Sequence, residues 1–288
     1  MTKLVTPLLV KELRERTGLG MMECKRALVA SNGDIDDAIA SLRKSSGLKA
    51  AKKASRTAAD GSIGVVSSGD FGVIIEVNSE TDFVARDDNF QEFVKVVLET
   101  VHDTRETDVD ALLANSNLES KRNDLIQKIG ENILLRRVKS IKAPVVGSYL
   151  HSNRRIGVVV GLTDGSSELA RQVAMHVAAV NPAVVRSDEM SESVLSAEKD
   201  IYLAQARDSG KPEEIVQKMV AGRVAKFLKE SSLIDQPFVK DPEKTIGQLV
   251  AEANADVTSF ARFEVGEGIS KEKVDFAAEV AAQVESVG

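Results

Sequence analysis

The sequence predicts an α+β protein: small antiparallel sheets covered by helices. Three observations lead there. A strand–turn–strand–helix pattern occurs twice, in residues 61–101 and 145–180, with Gly72 and Gly157 at matching points before an apolar run. Residues 1–46 read as three short helices with apolar stripes. Residues 191–228 read as a helical hairpin poor in apolar residues. Duplicated strand pairs, each followed by a helix, suit antiparallel sheets with a covered face.

The elements follow in order. A first helix spans about residues 7–16, with Pro7 in the first turn, where proline is tolerated. Thr17-Gly18-Leu19-Gly20 is a tight turn. The second helix places Met21, Cys24 and Leu28 on one buried face, at i, i+3 and i+7. Asn32-Gly33 is a turn, and Asp34 suits the N-cap of a third helix. Ile35, Ala38, Ile39 and Leu42 give that helix its stripe. A module this short has a thin core, and such modules usually exist to touch something.

Residues 43–59 are small and basic with no acid: Arg43, Lys44, Lys49, Lys52, Lys53 and Arg56. A nucleic-acid contact and a solvated connecting helix both fit. The connecting helix fits better, because no aromatic is interleaved for base stacking.

In the first repeat unit, strands 62–67 and 72–77 flank the turn 68–70, and a helix follows over 88–101. In the second, strands 145–151 and 156–162 precede a helix over 167–180. Between the units lie a charged helix (118–129), the turn Gly130-Glu131-Asn132 and a strand (133–140). The hairpin has a narrow seam of Val194, Ala197, Ile201 and Ala204, then Ile215, Met219 and Val220, broken at 209–212. That seam suits pairing with a second copy. A proline-punctuated loop (235–243), a helix (245–253) and a strand (259–265) completing the second sheet follow. A last helix, 271–284, carries Val274, Ala277, Ala281 and Val284 on one face and needs something to dock on.

Composition narrows the function. A chain of 288 residues suits two or three domains, and 43% hydrophobic with 28% charged residues supports a real core. A net charge of −6 counts against a general nucleic-acid binder, though not against a local basic patch. The single Cys24 excludes a disulfide framework within the chain and suits a reducing compartment. No apolar run approaches the roughly 18 residues of a membrane span, and the charged N-terminus does not read as a signal peptide. The expectation is a cytoplasmic protein.

The search for chemistry is largely negative. Gly210-Lys211 is followed by Pro212, and Gln205 stands where a phosphate loop needs glycine. Gly18-Leu19-Gly20 and Gly266-Glu267-Gly268 lack the third glycine of a dinucleotide fingerprint. One Cys and three scattered His (His102, His151, His176) show no metal-ligand spacing. Cys24 falls on a buried face, and His176 among apolar residues reads as a core histidine. His151 ends a strand beside Arg154 and Arg155, where turn structure and partner contact fit equally. No cofactor, metal or catalytic set is expected, and the residues point to an interaction protein.

One stretch stands apart: NSETDFVARDDNF, residues 78–90. In a chain only 4% aromatic it places Phe83 directly after Asp82 in an acidic loop. Phe83 either caps the core under the next helix or wedges into a partner. Phe90, Phe93, Val94 and Val97 already furnish that helix with a stripe, and Asp82 suits a plain helix N-cap.

Taken with TGLGMMECKRAL (17–28), NGDIDDAIASLR (32–43), KIGENI (128–133), GSYLH (147–151), QPFV (236–239) and RFEVGEGI (262–269), that stretch resembles bacterial elongation factor Ts over essentially the whole chain. The resemblance implies a guanine-nucleotide exchange factor for the GTPase elongation factor Tu, with no nucleotide site of its own. It implies a ubiquitin-associated-like N-terminal module, a core of two similar subdomains and an inserted coiled-coil hairpin able to dimerise. The expected division is 1–54 (helical module and linker), 55–140 (first subdomain), 141–180 with 229–267 (second subdomain), 181–228 (hairpin) and 268–288 (C-terminal module). By resemblance, Thr81, Asp82, Phe83 and Val84 enter the GTPase beside its magnesium site. Leu13, Met21, Met22, Lys25, Ile129, Gly130, His151 and Val239 match further contact positions.

Overall fold

The computed structural model describes residues 4–207 and 212–270, the side chain of Ser116 apart. Three N-terminal helices lead: α1 (Pro7–Thr17), α2 (Met21–Ala30) and α3 (Ile35–Lys53). Thr6 caps α1 by accepting the Leu9 amide, Gly18 ends it in a left-handed conformation at φ 69°, and Asp34 caps α3 through the Asp37 amide. Val10, Leu13, Leu19, Cys24, Leu28, Ala38 and Leu42 close a small core. Met21 departs from the expected face and is 59% exposed. It is the first residue of α2, and the Gly18–Gly20 turn leaves that end of the helix outside the bundle.

The basic run is not a detached linker. α3 continues through it to Lys53, burying Ser46 and Ala50 as it packs on α7 (Ser116–Ile129). Lys49 pairs with Glu23, and Lys53 donates to the Gly130 carbonyl. Small residues allow close approach, and the cations tether α3 to neighbouring acceptors.

The core is two three-stranded antiparallel sheets. β1 (Asp60–Ser68), β2 (Phe71–Ser79) and β3 (Leu134–Lys142) form the first, in the order β1-β2-β3. β4 (Val145–Leu150), β5 (Ile156–Leu162) and β8 (Val257–Glu264) form the second, in the order β4-β5-β8. Each is a hairpin plus a later strand laid beside the hairpin's second member, so the repeat read from the sequence extends to topology.

The sheets face one another across Ile63, Ile74, Ile141, Val146, Val159, Ala261 and Phe263. Alternate residues of the central strands point outward. Val73, Ile75 and Val77 meet Phe90, Phe93, Val94 and Val97 of α5 (Asp88–Thr104), with Leu125 and Ile126 of α7. Val158, Val160 and Leu162 meet Val173, Ala174 and Val177 of α8 (Ser167–Val180). With both faces covered, β2 is buried at every position. Gly72 and Gly157 mark the sheet–sheet approach. A Cβ on Gly72 would lie 2.6 Å from Val146 Cγ1 and Val159 Cγ1, and one on Gly157 only 2.5 Å from Ile63 Cγ2.

Short elements complete the chain. The single-turn α4 (Asp82–Ala85) and α6 (Val109–Ala114) carry too little periodicity to be read in advance. The proline-punctuated loop holds a small hairpin, β6 (Pro237–Phe238) with β7 (Asp241–Thr245), because Pro237 and Pro242 sit at exposed positions of short strands, where a missing donor is tolerated. α11 (Ile246–Ala251) follows, with a capping box between Thr245 and Gln248. α9 (Glu192–Arg207) and α10 (Glu213–Ser231) form the hairpin. Its seam is Ala206, Val216 and Val220 with Tyr202, Leu203 and Val224, while Val194, Ile201 and Ile215 face outward. The spacing found the helices; of the seam expected to pair with a second copy, Val220 is buried between α9 and α10, whereas Val194, Ile201 and Ile215 remain exposed. Residues 209–211 of the expected break, and the expected helix at 271–284, lie outside the described residues. No helix is long and apolar enough to cross a membrane among the described residues.

Candidate partner-binding surface

β2 delivers the chain to the Phe83 turn. Thr81, not Asp82, is the N-cap of α4: its hydroxyl accepts from the Val84 amide at 3.4 Å. Asp82 lies one position inside and pairs with Arg86 at 2.7 Å. Ala85 and half-buried Val84 face the core. Phe83 points away from it and is 80% exposed, which excludes the core-cap reading.

This turn is held by carboxylates. Glu131 Oε2 accepts from the Glu80 and Thr81 amides, both at 3.0 Å, and Oε1 accepts from the Thr81 hydroxyl at 2.7 Å. In return Glu80 Oε1 accepts from the Asn132 amide at 2.6 Å. Asn132 is itself buried and donates to the Arg56 carbonyl at 2.9 Å. Ile129 packs on the first core, and Gly130 ends α7 at φ 90°. The Thr81–Val84 set and the Ile129–Gly130 pair are therefore neighbours. Sequence reasoning quoted Glu80, Glu131 and Asn132 within motifs but gave them no role. The signal was faint: short acidic turns at the ends of a strand and a helix.

The N-terminal set divides. Met21 is 59% and Met22 63% exposed, and Lys25 is exposed beside them. With Val5, Pro7, Val10 and Arg14 they line a largely apolar groove. Leu13 is fully buried in the helical core, so its contribution to any contact runs through packing. Glu23 of α2 accepts from Gln127 at 2.7 Å and pairs with Lys49, which docks the module on α7. Burial raises the Glu23 pKa, but Lys49 and Gln127 outweigh it and hold the carboxyl below its ordinary value.

His151 follows β4 and is exposed, its ring 3.2 Å from the Tyr149 hydroxyl and its amide donating to the Ile156 carbonyl. The turn after it shares a cleft with the Phe83 turn, lined by Asp82, Arg86, Gln91, Asn153 and Arg154. Val239 is 42% exposed, and its amide donates to Nδ1 of the buried His176 at 3.3 Å. The proton of that imidazole then sits on Nε2, which donates to Gln236 at 2.9 Å. Burial pushes the His176 pKa down, with Gln236 opposing, so the ring stays neutral and braces the Gln236–Val239 loop. Among the described residues no cluster of three or more His, Cys, Asp or Glu side chains is arranged to hold a metal.

What stands out on this scaffold is a braced, solvent-facing aromatic turn and, on the N-terminal module, an exposed methionine patch, both carried by a modular α+β protein. Comparison with known proteins refines that class. A family model described as Elongation factor TS matches residues 80–267. The chain is 62% identical to Elongation factor Ts of Saccharophagus degradans, across 97% of this chain and 98% of that relative. It is 60% identical to the protein of the same name from Teredinibacter turnerae, across 97% of each chain. It is 59% identical to that of Hahella chejuensis, across 96% and 97%. The chain belongs to the elongation factor Ts family and is a translation elongation factor.

Proposed function

We propose that this protein is the guanine-nucleotide exchange factor for elongation factor Tu, acting by binding rather than by chemistry of its own. The observation that carries this reading is Phe83: a large apolar side chain, 80% exposed, on a single-turn helix that a neighbouring carboxylate clamps. Exposed aromatics held rigidly are the kind of residue that dominates interfaces. Thr81, Asp82, Phe83 and Val84 enter the GTPase beside its Mg²⁺. The Met21, Met22 and Lys25 patch, with Ile129, Gly130, His151 and Val239, supplies the wider grip. The N-terminal module (1–54), the two subdomains (55–140; 141–180 with 229–267) and the hairpin (181–228) divide that work.

Mg²⁺ holds near-ideal octahedral geometry at roughly 2.0–2.1 Å, so a small shift of the segment that ligates it spoils the shell. Losing the metal exposes repulsion among phosphate oxygens and weakens the nucleotide. The factor binds the nucleotide-free GTPase better than the loaded one, and by reciprocity nucleotide loosens the factor to the same degree. A buried Phe contributes on the order of 2 kcal/mol, and each tenfold in release rate needs about 1.4 kcal/mol. Phe83 alone accounts for tens-fold, and the remaining interface supplies the rest.

The test is stopped-flow release of a fluorescent GDP analogue from elongation factor Tu with increasing amounts of this protein. Saturable acceleration supports the reading; no acceleration by the folded chain overturns it. An RNA-binding alternative is disfavoured because Lys49, Lys53 and Arg56 of the basic run already make intramolecular contacts. The outward Val194, Ile201 and Ile215 suit self-association through the hairpin. Deleting 191–228 should lower the oligomeric mass more than it slows exchange, and an unchanged mass counts against that role.

A further inference from the structure

We propose that Glu131 is a positioning residue that sets the orientation of the Phe83 turn, through the turn Gly130-Glu131-Asn132. The inference rests on the exchange reading above and adds to it a half-buried residue whose two carboxylate oxygens are both engaged within the chain. Its geometry is specific. One carboxylate oxygen accepts two consecutive backbone amides, Glu80 and Thr81, and the other accepts the Thr81 hydroxyl. Thr81 in turn caps α4, the helix that bears Phe83. A single side chain therefore fixes the entry and the first turn of the wedge-bearing segment. Charge-assisted bonds of this kind are shorter and stronger than neutral ones.

The grip is reciprocal. Glu80 returns its own carboxylate to the Asn132 amide, so the two loops cannot slide past each other without losing four hydrogen bonds together. The same three-residue turn receives the end of the N-terminal module: Lys53 donates to the Gly130 carbonyl, and Asn132 donates to the Arg56 carbonyl. α7, which ends in this turn, also carries the module through Gln127 and Glu23. The methionine patch and the Phe83 turn thus share one rigid support. A wedge works only if the surface behind it does not yield, because a yielding wedge spends its binding energy on its own rearrangement. The clamp supplies that resistance through bonds made within the chain.

The experiment compares wild type, Glu131→Gln and Glu131→Ala in the full-length chain. Its first readout needs no partner: amide hydrogen exchange at Glu80 and Thr81. Both amides should lose protection in Glu131→Ala, with an intermediate loss in Glu131→Gln, which keeps one acceptor oxygen, while the amides of β2 stay protected. The second readout is the GDP-release assay. Glu131→Ala should lower the saturating rate about tenfold and leave the half-saturating concentration within about threefold, because the other contacts are intact. Combined with Phe83→Ala, it should add nothing further, since a support without its wedge has no work to do. Unchanged protection at Thr81 overturns the clamp outright. Multiplicative losses in the double variant, or a loss confined to half-saturation, overturn the positioning role. If wild type itself fails to accelerate release, the exchange reading falls and the positioning role falls with it, whereas the Thr81 protection still reports whether the clamp exists.

Discussion

Replacing Glu76 by Gln should destabilise the junction of the two sheets by an amount that depends on pH. Glu76 is fully buried on β2, yet it is charged. A β-bulge explains how its partners reach it. The register pairs Glu76 with Arg137 and Val77 with Leu135, leaving Arg136 as the extra residue, so two successive guanidinium groups turn toward one carboxylate. Arg136 donates at 3.0 Å and Arg137 at 2.5 Å, Asn78 at 3.0 Å, and the Gly266 amide beyond β8 at 2.8 Å. Arg137 also bonds the Glu264 carbonyl, so the cluster ties the first sheet to the end of the second. Breaking a buried pair costs about 3–5 kcal/mol when the remaining charge is stranded. Here the arginine side chains keep 23% and 29% exposure, so water partly rescues them and the lower end applies, about 3 kcal/mol. For a chain of this size that is about 6–12 °C in melting temperature.

Burial raises the Glu76 pKa, but the Gly266 amide, Asn78 and Arg137 together outweigh it, so the folded carboxyl titrates below its ordinary value. A depressed folded pKa gives stability that is present above the unfolded pKa and is lost as pH falls through the folded one. The gap between wild type and Glu76→Gln should therefore be widest near neutral pH. It should narrow in acid below the ordinary glutamate range, as wild type itself becomes neutral at this site. Scanning calorimetry of both proteins across that range measures it. A gap that is flat with pH, or smaller than about 2 °C throughout, refutes the charge argument.

Phe83→Ala should leave the melting temperature within about 2 °C, since the ring is already in water, while slowing GDP release about 25-fold at saturation; a large stability loss with normal exchange reverses the assignment. Gly157→Ala should cost about 1–3 kcal/mol by driving a methyl into Ile63 and prising the sheets apart, read in a urea titration where an unchanged midpoint refutes the close approach. His176 has a lowered folded pKa, so the unfolded chain binds a proton that the folded ring refuses, and stability falls as pH drops through the ordinary histidine range. The protection factor of the Val239 amide, bonded to that ring, should fall over the same range, and a pH-independent value disproves the coupling.

The sequence by itself determined the helices of the N-terminal module, the two strand pairs with their covering helices, the return of a late strand to the second sheet, and the resemblance to elongation factor Ts. Each is written in local periodicity, turn residues or short motifs. It also marked Gly72 and Gly157 as equivalent, though only the facing sheets reveal why a side chain is excluded there. Tertiary structure alone decided which side chains face outward. Met21 obeyed the helical spacing yet lies outside the bundle, and Ile201 and Ile215 are apolar yet leave the hairpin seam to Val216 and Val220. It alone turned the basic run into a docked helix and paired Glu131 with Thr81, fifty positions away. Periodicity records which face of an element is apolar. It does not record what that face meets, because burial and ion pairing depend on residues brought together only when distant segments pack.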